Sequence, residues 1–364
     1  MQKSKFWEYL CRHLDLIPSH LEPLNRKALK RIPVHLITGF LGSGKTTFLN
    51  HLVEEVRPDR VMVIENECGE TNIDGAIILD GVEDIVELNA GCICCSLADG
   101  LLDVLEVIST KKKDIDRLVI ETTGIADPTS IIQAFLQDPR VDAHFDLRQV
   151  ICLVDAGLVE EWLAETEEAL RQIVASDVVL INKSDTVSHE KLLEIENTLK
   201  GINPQSEVMK GEFGAFSMDK IEEFGTTKSR SIEKKAHDHS HHHHEHHHHN
   251  HHHDHEEGSN SHKITTFTIN FPKPLDLDSL SLDLNRIVNL YRSQVYRVKG
   301  YIAIPDYPNR VILQSARTSF IATDGSPWEE GEERIGKLVF IGRNLKKEVF
   351  VKMFGRHEVE TLIH

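Results

Sequence analysis

Gly39-Phe40-Leu41-Gly42-Ser43-Gly44-Lys45-Thr46 follows the apolar run Val34 to Thr38 and opens a stretch with helical periodicity. It matches G-x-x-x-x-G-K-T in full and stands between a strand and a helix, where that pattern has to stand to work. Glycines let the backbone curl round a phosphate with its N–H groups turned inward, and the helix N-terminus adds a favourable dipole. The pattern assigns Gly39, Gly42, Ser43, Gly44, Lys45, Thr46 and Thr47 to nucleotide binding. Lys45 would neutralise the β- and γ-phosphates, and the Thr46 hydroxyl would ligate Mg²⁺. An ordinary glycine-rich turn is the alternative; the complete match in its strand-to-helix context speaks against it.

Outward from this loop, strand and helix signals alternate. Val34 to Thr38, Val61 to Ile64, Ile85 to Leu88, Arg117 to Ile120, Val150 to Val154 and Val178 to Ile181 read as buried strands. Helix candidates begin near Lys45, Leu97, Pro128, Glu165 and Glu190. That alternation predicts an α/β fold, a P-loop domain built on a mostly parallel sheet with helices on both faces. From His237 to His255 the chain is nearly all histidine with a few acids and cannot bury a core, which predicts a disordered loop. Beyond it, Thr265 to Ile269, Tyr296 to Ile304, Arg310 to Gln314 and Lys337 to Ile341 read as strands, with helices at Leu280 to Tyr291 and around Lys346 to Phe354. The expected organisation is an extension over 1–32, a P-loop domain over 33–228, a His-rich linker over 229–262 and a smaller α/β domain over 263–364. In the extension, Phe6, Trp7, Leu10, Leu14 and Leu16 could line a short helix.

Composition narrows the function. A length of 364 residues exceeds one ordinary core. The net charge of −17 argues against nucleic acid as the main partner, because binding it takes a concentrated basic face. Six cysteines, three of them clustered, fit a reducing compartment better than a disulfide framework. The first thirty residues carry scattered charges without a long apolar run, so neither a signal peptide nor a membrane span is expected, and cytoplasm is the default.

Two further segments bear on the nucleotide. Asn182-Lys183-Ser184-Asp185 follows the strand Val178 to Ile181; a carboxylate there can accept two hydrogen bonds from a guanine edge, and the Lys183 stem can cover the base. Guanine is favoured over adenine, which cannot donate both. Glu121 ends the strand Arg117 to Ile120 and can hold Mg²⁺ through water, while Gly124 can turn its N–H toward the γ-phosphate. Glu121 departs from the usual Asp of that position. Asp127-Pro128 reads as a helix cap followed by proline in the first turn.

Gly91-Cys92-Ile93-Cys94-Cys95 packs three thiols into four positions, enough for most of a four-coordinate shell around Zn²⁺, Co²⁺ or Cu⁺. A redox pair at Cys92 and Cys95 is the alternative, without a thioredoxin-like context to support it. The acidic loop Glu65-Asn66-Glu67-Cys68-Gly69-Glu70, running on to Asp74, could complete the shell or bind Mg²⁺, or be a solvated loop. The histidine tract would supply many weak, exchangeable sites for Zn²⁺, Ni²⁺ or Co²⁺.

The P-loop at Gly39 to Thr46, the Ile64 to Glu70 loop, G-C-I-C-C at Gly91 to Cys95, E-T-T-G-I-A-D-P at Glu121 to Pro128 and N-K-S-D at Asn182 to Asp185 together resemble the CobW/YjiA family of GTPase metallochaperones. Arg297-Val298-Lys299-Gly300, Trp328 and Leu338 to Arg343 extend the resemblance toward the C-terminus. The resemblance implies a slow GTPase using GTP and Mg²⁺, with zinc or cobalt at the Cys92–Cys95 motif and nickel fitting the same ligands. It assigns Cys94 as the central thiol, and Glu65 and Glu70 as metal-binding acids. Cys68 stands where the family usually has Phe, and the N-terminus lacks the Cys-Pro docking segment of eukaryotic zinc-transfer members. The partners expected are a client metalloenzyme and a second copy in a metal- or nucleotide-dependent homodimer, with no nucleic acid and no membrane. Metal storage with a merely structural nucleotide site, and a P-loop metabolite kinase, are the competing readings.

Overall fold

The computed structural model describes residues 31–65, 82–87, 97–110, 115–224, 264–291, 293–316, 319–329 and 331–358. The N-terminal extension, the acidic loop after Glu65 including Cys68 and Glu70, the Cys92–Cys95 motif and the histidine tract lie outside the described residues.

Seven strands form the first sheet: β1 (Ile32–Gly39), β2 (Val61–Glu65), β3 (Val82–Glu87), β4 (Arg117–Glu121), β5 (Phe145–Asp155), β6 (Val178–Asn182) and β7 (Glu207–Lys210). Their order is β3-β2-β4-β1-β5-β6-β7 and every pairing is parallel. The apolar runs that read as strands are apolar on both faces because both faces are covered. Ile37 packs with Phe48, Leu49 and Leu52 of α1 (Lys45–Glu55). Its neighbour Leu36 points the other way, onto Leu101 and Leu105 of α2 (Leu97–Thr110) and Ile131 and Phe135 of α3 (Thr129–Gln137). After the short α4 (Pro139–Asp142), helices α5 (Val159–Glu165), α6 (Glu167–Ala175) and α7 (His189–Ile202) cover the β5 and β6 side. From β1 the chain crosses outward to β2, whereas β4 leads back across β1 to β5. The C-terminal tip of β1 is thus where connections diverge, the place open parallel sheets hold ligands.

The second sheet, in the smaller C-terminal domain of strands and helices, is antiparallel. It runs β11-β10-β9-β12-β8, from β8 (Ile264–Phe271), β9 (Val295–Ile302), β10 (Asn309–Ala316), β11 (Ser319–Pro327) and β12 (Gly336–Arg343). Helices α8 (Leu277–Leu290) and α9 (Lys347–Phe354) cover one face. Along β12 the alternation is plain: Leu338 and Phe340 enter this core, while Val339 and Ile341 turn to Leu170 and Val174 of α6. Hence the other face of the small sheet lies against the P-loop domain. Arg297 donates to the carbonyls of Val174 (2.6 Å) and Ser176 (2.8 Å), satisfying the C-terminal end of α6 across this boundary. No helix among the described residues is long and apolar enough to cross a membrane.

Candidate nucleotide site

At the tip of β1 the chain leaves the sheet and turns tightly, Ser43 N–H donating to the Phe40 carbonyl at 3.2 Å. Gly44 sits at φ +97°, a conformation an L side chain rarely adopts, and an added Cβ would also collide with the Asn182 amide. Lys45, buried, reaches back to the Phe40 carbonyl at 3.3 Å, and the Phe40 ring packs on Trp162 with centroids 4.9 Å apart. Ser43 is buried, whereas Thr47 is exposed.

Asn182 and Lys183 do more than flank a base reader. The Asn182 amide donates to the Ser43 carbonyl (2.9 Å), and its oxygen accepts from the Gly214 N–H (3.0 Å). Lys183 adopts φ +56° and extends across the loop, donating to the Gly42 carbonyl (2.9 Å) and pairing with Asp155 at 2.7 Å. The Asp155 side chain is only 6% exposed, so this pair anchors the lysine stem from below. Asp185 lies exposed on the short 3-10 turn Ser184–Thr186.

On the other side of the loop, Thr46 Oγ1 and Glu121 Oε1 come within 3.3 Å, although 75 residues separate them in sequence. A hydroxyl and a carboxylate oxygen converging beside a phosphate loop are the donor set Mg²⁺ takes, so these residues fit that ion. Thr122 is locked down, its N–H bonded to the Ile37 carbonyl (2.9 Å) and its hydroxyl to Thr38 (3.1 Å). Gly124 lies directly against the P-loop: a Cβ there would stand 2.6 Å from the Leu41 nitrogen. Asp127 accepts from the Thr129 N–H at 2.9 Å and so caps α3.

Glu65 is the last residue of β2, in register with Glu121 on one side and Glu87 on the other. The backbone thus puts it at the sheet edge that carries the P-loop, one strand from Glu121. Cys92, Cys94 and Cys95 fall between Glu87 of β3 and Leu97 of α2, outside the described residues. Among the described residues no group of three or more His, Cys, Asp and Glu side chains is placed to hold a metal. Cys152 is the one cysteine described; burial pushes its thiol up to about 12 despite the opposing charge of Lys45, so it stays protonated and unreactive.

Residues 33–210 match the CobW/HypB/UreG nucleotide-binding domain, and residues 264–357 match the cobalamin synthesis protein CobW C-terminal domain. The chain belongs to the CobW/HypB/UreG family. Among its relatives, the zinc chaperone YjiA of Escherichia coli is 32% identical over 333 residues, covering 87% of this chain and 96% of the relative. The zinc chaperone CobW of Pseudomonas aeruginosa is 29% identical over 356 residues, covering 88% and 90%. The crystal structure of Zn(II)-bound YjiA GTPase from E. coli superposes with a TM-score of 0.63 at 26% identity, over 91% of this chain and all of that one.

Three contributors to this CobW-family site were not singled out from sequence. Asp155 had one weak signal, an acid ending an apolar strand. Gln172 had none: it sits mid-helix in α6, and its partners are the carbonyls of Gly124 and Ala126, both at 3.1 Å. The third is the loop after β7, where Phe213 (φ +52°) is 72% exposed and Gly214 (φ +70°) seats against the start of α1.

Proposed function

We propose that this chain couples GTP binding and hydrolysis to the holding and release of zinc, handing the ion to a client metalloenzyme. It is a P-loop GTPase of the CobW family. The observation that carries the coupled reading is the placement of Glu65 in register beside Glu121, so that one sheet edge bears the Mg²⁺-facing acid, the first residue of the acidic loop and the strand leading to the thiols. Zinc is the cargo, with Cys92, Cys94, Cys95, Glu65 and Glu70 as its ligands; cobalt and nickel suit the same set.

In this reading Gly39, Gly42, Ser43 and Gly44 supply backbone donors to the phosphates, Lys45 balances the β- and γ-phosphate charge, and Asn182, Lys183 and Asp185 define the guanine end. Mg²⁺, held by Thr46 and through Glu121, would supply charge neutralisation at the γ-phosphate. Gly124 presents its N–H to the same phosphate, and loss of that contact on hydrolysis frees the loop Glu121 to Asp127. Thiolates bind zinc only when deprotonated and hold it tightly, so release needs two states of different affinity; the difference sets the limit on transfer.

The test measures Zn²⁺ affinity of the full chain with a non-hydrolysable GTP analogue and with GDP, in wild type and in Cys94→Ser. Tighter binding in one nucleotide state, lost in Cys94→Ser, is expected; equal affinities would sink the coupling. GTP turnover lost in Lys45→Ala separates this reading from metal storage.

A further inference from the structure

Beside the Leu170, Val174, Val339 and Ile341 contact, the small sheet and the P-loop domain border an open cleft of about 760 Å³. That is the size of a small-molecule site. Its lining includes Arg148, paired with Asp146 (3.1 Å), Arg171, paired with Asp127 (3.4 Å) and Glu167 (3.2 Å), and Arg297 and Lys299, which share Asp177.

Two cations converge on Asp177. Arg297 Nη2 (3.1 Å) and Lys299 Nζ (3.0 Å) both bond one oxygen of this carboxylate, and the other oxygen accepts from the Val150 N–H at 3.1 Å. The remaining Arg297 bonds go to the neutral carbonyls of Val174 and Ser176. Two cations whose side chains are each 12% exposed therefore share one carboxylate that is 14% exposed. Burying a charge without its counterpart is costly. Burial lowers the proton affinity of Lys299; Asp177 opposes that and the Arg297 charge adds to it.

We propose that this inter-domain cleft binds a small anion bearing phosphate or carboxylate groups, with Lys299 and Arg297 as its counter-charge and Gln314 as a neutral donor on the wall. Arg171 links the cleft to the nucleotide: it lines the space, and it also pairs with Asp127 (3.4 Å), the residue that ends the loop carrying Glu121 and Gly124. An anion drawing on Arg171 competes for it with Asp127 and with Glu167, its partner at 3.2 Å.

The experiment titrates inorganic phosphate and, separately, succinate into the full chain by calorimetry, against chloride at matched ionic strength. The protein is saturated with GDP and Mg²⁺ so that the P-loop is filled. Saturable binding of at least one anion is expected, and Lys299→Met should weaken it about tenfold or more, the range a lost charge-assisted bond gives. Arg148→Gln, at an exposed position of the lining, should weaken it several-fold and serves if Lys299→Met does not fold. GDP affinity should be unchanged in both. Phosphate binding without succinate identifies a phosphate ligand, and the reverse a carboxylate. Failure of both anions to bind, or equal affinity in wild type and both variants, would overturn the site.

Discussion

Gln172 offers the sharpest probe of how the γ-phosphate loop is held. Its side chain is 1% exposed and one amide nitrogen donates to two carbonyls, those of Gly124 and Ala126, both at 3.1 Å. Truncation to alanine removes both bonds. The Gly124 carbonyl stays buried without a donor, whereas Ala126 is partly exposed and can recover water. A net bond is worth about 1 kcal/mol and a buried carbonyl left unpaired up to about 3, so the loop loses roughly 2 kcal/mol of order. If Gly124 must be in place when the γ-phosphate is cleaved, that is about thirtyfold in kcat/KM for GTP. Gln172→Glu should be worse than Gln172→Ala, because it sets a carboxylate against two carbonyl oxygens. GDP has no γ-phosphate for this loop to meet, so GDP affinity should not change in either variant. Phosphate release under single-turnover conditions and titration with a fluorescent GDP analogue give the two numbers. A parallel loss of GDP affinity, or a Glu variant as active as wild type, would refute the reasoning.

Three other expectations follow from the geometry. Gly124→Ala places a methyl 2.6 Å from the Leu41 nitrogen, so the P-loop or the loop after Glu121 must shift; GTP turnover should be lost while circular dichroism reports a folded chain. His35 is fully buried, and burial, then the Arg117 charge, lowers its pKa to about 3. Because an unfolded imidazole titrates near 6.5, the unfolded chain binds the extra proton between about pH 6.5 and 3. Stability therefore falls as pH drops through that window, by at most about 1.4 kcal/mol per unit from this group, and His35→Gln should flatten the slope in urea unfolding. Tyr296 donates to Glu167 at 2.7 Å across the domain boundary and is the main reason that carboxyl is held below its usual range. Tyr296→Phe should loosen the boundary by about 1 kcal/mol, read as faster limited proteolysis.

Local chemistry made most of the P-loop domain legible. The central strands are mostly apolar on both faces because both are covered, and the phosphate loop declares itself through its glycines, Gly44 among them at φ +97°. Two strands escaped notice for physical reasons. β7 is a four-residue edge strand with no fully buried position, and β11 is an edge strand carrying Asp324, Gly325 and Ser326, residues of weak strand preference. The antiparallel order of the second sheet is likewise invisible to periodicity, since pairing direction leaves the alternation of side chains unchanged. In the candidate site, the residues named from spacing, Lys45, Thr46, Asn182 and Lys183, lie together about the loop. Gln172 acts on backbone carbonyls from mid-helix, so nothing in its neighbours marks it. Asp155 reveals itself only once Lys183 crosses to it.

Helix α6 is where the two halves of the molecule meet. Arg171 and Gln172 face the loop from Glu121 to Asp127, while Leu170 and Val174 pack on Val339 and Ile341 of the second sheet. The helix is nine residues long, so its two faces cannot move independently: a rotation that follows the loop also slides the contact with β12. Arg297 fastens the end of the same helix from the opposite domain. A ligand that favours one setting of α6 from either side must change affinity on the other by the same factor, because the coupling free energy is shared. The loop beside the nucleotide site and the inter-domain boundary thus share this helix.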